Sequence, residues 1–287
     1  MYDPKVTKFP YPENTDEHYL EVKEIYHHKF DENYPYIDNR KSFRFKQFLL
    51  RVLLYIIVFP FMRIRMGLRV KGRKNLRKQK DIINSGVISV SNHIHMFDYL
   101  AVMYAIRPVK SNVLVWTKNM QGKNYSSIRL VGGIPIPDES LKGTKAYINT
   151  LENRLNNKGW IHIYSEGSMW EGYALIRPFK KGASFFSCKF DKPILPLAFS
   201  YRKPNWIRRV IFHQFACYTL TIGDFLYPNK ELTGKEQVND LTKRCHDEVC
   251  KLAGIDPNEN IYPPLFDNNK RVDYYANEYG KGYKGSW

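Results

Sequence analysis

Short β-rich runs alternate with helical patterns from about residue 84 onward, and this alternation is the strongest constraint on the fold. The predicted strands are Val87–Ser91, Val113–Trp116, Trp160–Tyr164, Ile194–Tyr201, Arg208–Phe212 and Tyr218–Ile222. Three helices are predicted: one begins near Asp98, one spans about residues 141–157, and one begins at Thr233. Thr233 and Glu236 have the spacing of a capping box at the start of the last helix. Because strands that alternate with helices bury their apolar faces against each other, we expect an α/β layered domain with a central mixed sheet flanked by helices.

The chain is strongly basic, and its charge is concentrated in one stretch. The 287 residues include 45 Lys and Arg against 28 Asp and Glu, which gives a formal net charge of +17. Residues 40–80 contain fourteen basic residues and no acidic residue. This balance predicts an anionic partner, which can be a nucleic acid, a membrane surface or a phosphorylated ligand.

The basic stretch encloses the most apolar run of the sequence, Phe48–Met62. The run has 15 residues and is interrupted by Arg51 and Pro60, whereas a transmembrane helix needs about 20 apolar residues. The basic residues just before it share one stripe of a helical wheel, which is typical of a helix lying in the membrane plane. We predict monotopic docking on an anionic membrane, with a core helix bearing a solvated basic face as the alternative. Nucleic-acid binding does not need an apolar run among its basic residues, so we expect no nucleic-acid partner.

Four segments are predicted from these features. Residues 1–39 are a polar, Tyr-rich extension, residues 40–75 the docking segment, residues 76–228 the α/β domain, and residues 229–287 a C-terminal helix with an aromatic tail. The four cysteines have no spacing typical of a disulfide framework or a shared metal, and no secretory signal is visible. We therefore predict reduced thiols and a location on the cytoplasmic face of a membrane.

The first candidate site follows the strand Val87–Ser91 and opens a helix, where α/β proteins place reactive groups. It contains His93 and Asp98, which are five residues apart. On a regular helix their side chains would diverge by about 140°, so they can meet only in a tight, irregular turn. If they meet, the carboxylate fixes the tautomer of the imidazole and leaves its other nitrogen as a general base.

Two further segments carry polar residues that can face a ligand. The first ends the strand Trp160–Tyr164 and contains Glu166, Gly167 and Ser168. Its glycine allows backbone N–H groups to approach an anionic or hydroxylated ligand. The second contains Arg177, Lys180 and Lys181, which can contact a phosphate. A solvated polar turn is the alternative interpretation of both segments.

Taken in this order, the segments resemble the blocks of the glycerolipid (lysophospholipid) acyltransferase family. The N-H-x-S-x-x-D block of that family is matched by Asn92, His93 and Asp98. The glycine-rich block of the family resembles Val131–Ile136, and its E-G-T-R-S block resembles Glu166–Ser168. Its proline-containing strand resembles Pro193–Ala198. The resemblance covers about residues 70–225, with the order and spacing of the blocks intact.

The resemblance implies transfer of a fatty acyl group from acyl-CoA or acyl carrier protein to the hydroxyl of a lysophospholipid-like acceptor. His93 would act as the general base and Asp98 would orient it, with no acyl-enzyme, metal or other cofactor. The residues predicted to bind the substrates, from the motifs and the resemblance together, are Asn92, His95, Lys118, Gly133, Glu166, Gly167, Ser168, Arg177, Lys180 and Lys181. Membrane lipids and the acyl donor are the expected partners.

The sequence departs from the family pattern at three positions. His95 replaces a serine of the first block, and Met169 stands where the third block has an arginine. The second block continues as Pro137-Asp138-Glu139, where an arginine is again common. The missing arginines are those expected to hold the phosphate of the acceptor, and methionine cannot replace that contact. We predict either an acceptor other than lysophosphatidate or a replacement of this charge by Arg177, Lys180 and Lys181.

Two other functions compete with acyl transfer. His93, His95 and Asp98 can be interpreted as ligands of a metal-dependent hydrolase, although no obvious ligand pair follows them in the sequence. A non-catalytic membrane-binding protein on the same fold is the second alternative. The intact pair of His93 and Asp98 argues against it, because a protein without activity has no physical need of that pair.

Overall fold

A seven-stranded mixed sheet is the centre of the structure, a computed structural model that describes residue 18 and residues 22–137, 140–214 and 216–258. The strands are β1 (Arg69–Lys71), β2 (Val87–Ser91), β3 (Ser111–Trp116), β4 (Gly133–Ile136), β5 (Trp160–Tyr164), β6 (Ile194–Arg202) and β7 (Cys217–Ile222). Their order is β1-β7-β6-β2-β5-β3-β4, and β6 and β7 are antiparallel while the other paired strands are parallel. The predicted α/β fold with a central mixed sheet is confirmed.

Helices cover both faces of the sheet, which explains why every residue of the central strand β2 is buried. The helices are α1 (Lys41–Leu53), α2 (Phe59–Arg65), α3 (Arg73–Lys78), α4 (Lys80–Ile83), α5 (Asp98–Ile106), α6 (Thr117–Gln121), α7 (Tyr125–Val131), α8 (Leu141–Asn156), α9 (Gly182–Phe190), α10 (Trp206–Val210) and α11 (Gly234–Ala253). The buried residues of α2 and α5 belong to one apolar core, and those of α8, α9 and α11 belong to a second.

A π-helical turn, Leu54–Val58, joins α1 and α2 into one continuous helix, Lys41–Arg65, called the long helix below. It is attached to the rest of the protein near its start, in its middle and at its end. Near its start, Gln47 Nε2 donates to the Leu130 carbonyl (3.2 Å). Its middle buries Leu54, Phe59 and Met62 in the core that contains α5. At its end, Gln214 Nε2 donates to the Arg65 carbonyl.

The outer surface of the long helix is apolar and exposed. Its exposed large side chains are Phe45, Phe48, Leu49, Val52, Leu53, Tyr55, Ile56, Ile57, Phe61 and Ile64. Within the described residues, this helix of 25 residues is the one that is long and apolar enough to cross a membrane, judged by length and composition. The sequence-based estimate used the 15-residue apolar run alone, but the helix continues beyond that run at both ends.

The structure corrects one predicted strand. Arg208–Phe212 was predicted to be extended because it is rich in β-branched and aromatic residues, but residues 206–210 form α10. The reason is local, since the Asn205 side chain accepts the backbone N–H of Arg208 and caps a helix. Two short strands, β1 and β4, were not predicted, and the Thr233 side chain makes no capping bond at the start of α11.

The described part of the predicted extension packs on the domain near α6 and α7. The guanidinium of Arg129 donates to the carbonyls of Tyr36 (2.9 Å) and Pro35 (2.7 Å). His28 exchanges hydrogen bonds with the side chain of Gln121 in α6. Residues 1–17 and 19–21 of the extension, and the aromatic tail from residue 259, lie outside the described residues.

Candidate active site

The candidate site lies at the edge of the sheet where β2 and β5 end side by side. The two strands are parallel, and the last residue of β2, Ser91, is paired with the last residue of β5, Tyr164. The loop of residues 92–97 after β2 therefore meets the turn of residues 165–168 after β5. In open α/β sheets, ligands bind outside this carboxyl end of the strands.

The loop after β2 folds around the carboxylate of Asp98. Its Oδ2 accepts the backbone N–H groups of Ile94 (2.7 Å) and His95 (2.9 Å), and it lies 3.1 Å from Nδ1 of His93. The turn is tight and irregular, as the His–Asp spacing requires. Because a carboxylate only accepts hydrogen bonds, Nδ1 carries the proton and Nε2 bears the lone pair. The Asp98 side chain is 3% exposed and that of His93 is 19% exposed, so the histidine is the member of the pair that a substrate can reach.

Tyr164 fixes the plane of the His93 ring and was missed by the sequence analysis. The two rings stack with their centroids 3.7 Å apart and their planes within 10°. Burial, with a smaller effect of the Asp98 charge, raises the pKa of Tyr164 well above its ordinary value, so the phenol stays protonated. Strand alternation was the available signal, because residues 160, 162 and 164 share one face of β5.

His162 supplies a neutral polar layer behind the pair of His93 and Asp98. It is fully buried, with Nδ1 2.9 Å from Ser89 Oγ and Nε2 3.3 Å from Ser91 Oγ. Ser89 Oγ also accepts the indole N–H of Trp160 (2.8 Å). Burial, with a smaller effect of His93, lowers the pKa of His162 to about 3. His162 is therefore uncharged at neutral pH and adds no second positive charge beside His93.

Glu166 and Arg177 form a buried ion pair that holds the same loop from the opposite side. Glu166 Oε2 accepts the backbone N–H of His93 (3.0 Å) and Nη2 of Arg177 (2.9 Å), while Oε1 accepts the backbone N–H of Arg177 (2.8 Å). Arg177 Nη1 donates to Ser168 Oγ (2.6 Å), and the guanidinium lies over the Trp170 ring, 4.6 Å from its centroid. Both members of the pair are 1% exposed, so neither presents its charge to solvent.

Two other residues of the first motif are engaged within the protein. The Asn92 side chain bridges to β6, donating to the Phe199 carbonyl (3.0 Å) and accepting the Phe199 N–H (2.8 Å). The buried His95 accepts the backbone N–H of Phe97 at Nδ1 (3.1 Å). Asn92 thus binds the loop to β6 of the sheet, and His95 holds the backbone of Phe97 at the tip of the loop. A direct substrate contact by either residue stays a prediction.

The family of this domain follows from a comparison of its sequence with family models. The model described as Acyltransferase matches residues 67–200, which include β1 to β5, nearly all of β6 and every site residue described above. Residues 67–200 are an acyltransferase-family domain. The matched range begins within the predicted docking segment, and β1 accordingly belongs to the sheet of the acyltransferase domain.

Comparison with solved structures finds similarity to the crystal structure of a 1-acyl-sn-glycerophosphate (LPA) acyltransferase, PlsC, from Thermotoga maritima. The sequence identity is 15% and the TM-score 0.39, over 71% of this chain and 92% of the PlsC chain. No curated protein sequence matches the chain.

Exposed lysines surround the site edge of the acyltransferase domain, in contrast to the buried Arg177. Lys118 lies in α6 after β3, with Nζ 5.3 Å from the centroid of the Trp116 ring. The Lys180 backbone N–H donates to the Ser165 carbonyl (2.6 Å). Gly167 has φ +82°, and a β-carbon there would lie 3.5 Å from the Lys180 side chain. Lys181 is exposed immediately before α9.

Gly133 is buried at the start of β4 and not at its carboxyl end. A β-carbon on it would meet Ile128 Cγ2 at 2.5 Å and the Ile128 carbonyl oxygen at 2.8 Å, so the glycine allows α7 to pack closely on β4. This residue lies three positions before the end of the strand, about 10 Å from the edge that carries His93. Its predicted contact with substrate stays a prediction.

The described residues do not provide a ligand set for the competing metal-hydrolase interpretation. Among them, no group of three or more His, Cys, Asp and Glu side chains is placed to hold a metal ion. Nδ1 of His95 accepts a backbone N–H, and the Asp98 oxygen nearest to His93 is shared by two backbone N–H groups. These contacts engage one nitrogen of His95 and one oxygen of Asp98 within the protein.

Proposed function

We propose that the domain transfers an acyl group from a pantetheine thioester, acyl-CoA or acyl-acyl carrier protein, to a hydroxyl of a lysophospholipid-like acceptor. The observation that carries the proposal is the contact of His93 Nδ1 with Asp98 Oδ2 at 3.1 Å. Within the described residues, Nε2 of His93 has no hydrogen-bond partner, so it is available to the acceptor hydroxyl. The acyltransferase family supplies the reaction class.

His93 acts as the general base in this mechanism. Nε2 takes the proton of the acceptor hydroxyl as the oxygen attacks the thioester carbonyl carbon. The imidazolium that forms is stabilised by the adjacent Asp98 carboxylate. Collapse of the tetrahedral intermediate forms the ester, breaks the carbon–sulfur bond and returns the proton from His93 to the departing thiol. The acceptor is itself the nucleophile, so the sequence of steps includes no acyl-enzyme and calls for no metal or other cofactor.

Glu166 and Arg177 serve this mechanism by positioning. Their ion pair holds the backbone N–H of His93, and through Ser168 it also holds the turn after β5. The buried Arg177 does not offer its charge to an acceptor phosphate. We propose that the exposed cations Lys118, Lys180 and Lys181 bind the phosphates of substrates. This arrangement suits an acceptor whose recognition does not depend on a bidentate arginine contact, such as a lysophospholipid other than lysophosphatidate.

The long helix is proposed to dock the enzyme on a membrane in the plane of the bilayer. Its length alone would allow it to span. However, Gln47 near its start and Arg65 at its end are hydrogen-bonded to Leu130 and Gln214 of the α/β fold, and Leu54 between them is buried in the core. A helix attached at both ends cannot cross the bilayer unless it detaches from the domain. Its exposed apolar side chains and the basic residues around them fit an anionic membrane surface, which we place on the cytoplasmic side.

Thiol release from acyl-CoA and from acyl-acyl carrier protein in detergent, with EDTA present, tests the proposed reaction. The acceptors are lysophosphatidate, glycerol 3-phosphate, other lysophospholipids and glycolipids. We expect acceptor-dependent release that falls by about 10³-fold in His93→Ala, since general base catalysis contributes about 10²- to 10⁴-fold. His27→Ala, which removes an exposed histidine elsewhere, is the matched control and should retain activity. Release that requires a divalent metal would favour the hydrolase, and no release with any acceptor would favour the non-catalytic membrane protein.

A further inference from the structure

The short helix α10, together with Ile211 directly after it, carries an unusual amount of exposed apolar surface and is called the α10 patch below. Trp206 is 72% exposed, Ile207 50%, Val210 51% and Ile211 61%. Single exposed apolar residues are common on soluble proteins, but four large ones within six positions form a contiguous patch. Such a patch is typical of a surface that is covered in the working state of a protein.

The α10 patch lies at the same edge of the sheet as the catalytic pair. α10 follows the carboxyl end of β6, and His93 follows the carboxyl end of β2. β2 and β6 are parallel neighbours, so the two segments emerge on the same side. The tip of the His93 loop is also apolar and exposed there, with Met96 at 60% and Phe97 at 47%.

Hydrogen bonds attach α10 to the end of the long helix. Arg208 Nη1 donates to the Ile64 carbonyl (2.6 Å) and its Nη2 to the Arg63 carbonyl (3.3 Å). The neighbouring turn of the long helix exposes Phe61 and Ile64, each at 59%. The apolar patch of α10 is therefore held beside the apolar outer face of the long helix.

Charge indicates which partner covers this patch. The stretch of residues 202–214 has four basic residues and no acidic residue, which repeats the pattern of residues 40–80. Apolar side chains interleaved with arginines suit the boundary between acyl chains and anionic headgroups, and tryptophan is enriched at that boundary. A second copy of the chain would bring equally basic patches together, which like-charge repulsion opposes.

We propose that α10 and the loop tip Met96–Phe97 form a second bilayer contact, which holds the opening of the active site at the lipid surface. A lipid acceptor then reaches His93 by lateral movement within the leaflet. This inference rests on the proposed acyl transfer for its purpose. The bilayer contact itself depends only on the exposed residues.

The emission of Trp206 tests the contact directly in the full-length protein. The probe is a vesicle of phosphatidylcholine and phosphatidylglycerol in equal parts, with and without bromine on the acyl chains. The signal of this residue is obtained as the difference between the native protein and Trp206→Phe. We expect a blue shift on binding and quenching by the brominated lipid. An unchanged, unquenched Trp206 signal on protein that is bound to vesicles would overturn the proposal.

A pair of double variants measures the contribution to binding. Ile207→Ser/Ile211→Ser should weaken vesicle binding by about 30- to 700-fold, because each of the two large apolar side chains removed from the bilayer contributes about 1 to 2 kcal/mol and every 1.4 kcal/mol is about tenfold. Leu141→Ser/Phe185→Ser is the matched control, since it removes two exposed apolar side chains from α8 and α9 on the other face of the sheet. Equal binding by the two double variants would contradict the inference, as would self-association of the native protein that competes with vesicle binding.

Turnover separates this inference from the proposed reaction. With acceptor dissolved in detergent, the Ile207→Ser/Ile211→Ser variant should match the native enzyme. With acceptor embedded in vesicles at limiting lipid, its turnover should fall at least tenfold. If the native protein has no activity, the proposed reaction fails while the fluorescence and binding results still decide the bilayer contact. Equal losses in detergent and vesicles would overturn the proposed route of the acceptor.

Discussion

Two buried carboxylates hold the His93 loop, and they do so in different ways. Asp98 binds within its own loop, where its Oδ2 contacts His93 and the backbone N–H groups of residues 94 and 95. Glu166 binds across the chain, to the backbone N–H of His93 and to Arg177. His93, the side-chain partner of Asp98, is partly exposed, whereas Arg177, the ionic partner of Glu166, is fully buried. In the proposed mechanism the first carboxylate assists proton transfer by His93, and the second positions the loop.

Removing the charge of Asp98 should have the largest effect on activity. Asp98→Asn keeps the size of the side chain and one acceptor oxygen, but it removes the charge that stabilises the imidazolium of His93. We expect turnover to fall by about 10³-fold, which corresponds to about 4 kcal/mol of transition-state stabilisation. The midpoint of urea unfolding should change much less. Turnover within tenfold of the native enzyme would show that His93 works without its carboxylate and would remove the distinction between the two residues.

Removing the charge of Glu166 should have its main effect on stability. Glu166→Gln leaves the buried guanidinium of Arg177 without its counterion, and breaking such a pair costs about 3 kcal/mol of unfolding free energy. Urea denaturation measures this loss. The double variant Glu166→Gln/Arg177→Met removes the orphaned charge as well, so it should be more stable than Glu166→Gln alone. A double variant that is less stable than the single one would show that Arg177 contributes through its bonds to Ser168 and its contact with Trp170 rather than as a counterion.

Local features of the site could be predicted from the sequence. The His–Asp pair lies within six consecutive residues after a strand, so a tight turn is enough to bring the two side chains together. The meeting of this loop with Glu166 follows from two parallel strands that end at the same edge. The first inference needs only the spacing of two residues in the sequence, and the second needs only the geometry of parallel sheets. The two strands concerned, β2 and β5, were predicted with their correct bounds.

Burial and long-range partners could not be predicted in the same way. Arg177 was predicted either to contact a phosphate or to lie in a solvated turn, whereas it is buried against a partner eleven residues earlier in the chain. The run Arg208–Phe212 was assigned as a strand because β-branched residues favour extended backbone, yet a single Asn205 cap makes it helical. Composition does not show which side of such a helix is covered by the rest of the protein. The exposed patch of α10 could therefore be identified only from the exposure of its side chains in the structure.

The smallest expected effect is a loss of stability on acidification, caused by the buried His162 behind the Asp98 loop. The pKa of this histidine is lowered to about 3 in the folded protein, from about 6.5 in the unfolded chain. Below pH about 6.5, His162 is therefore protonated in the unfolded state but stays neutral in the folded state. As the pH falls further, the free energy of unfolding decreases by up to about 1.4 kcal/mol per pH unit until the pKa of the folded state is reached. Between pH 7 and pH 5 this amounts to about 2 kcal/mol.

Urea unfolding at each pH measures this loss, and His162→Asn identifies its source. Asparagine keeps a polar group facing Ser89 but cannot be protonated, so the variant should have a shallower dependence of stability on pH over the same range. The variant is expected to be less stable than the native protein at pH 7, and the slope, not the absolute stability, is the result that counts. An unchanged slope would place the acid sensitivity on the other ionisable groups of the site. A reduced slope would show that the layer behind His93 stays neutral because His162 is buried, so that Asp98 is the charged partner of His93 among the described residues.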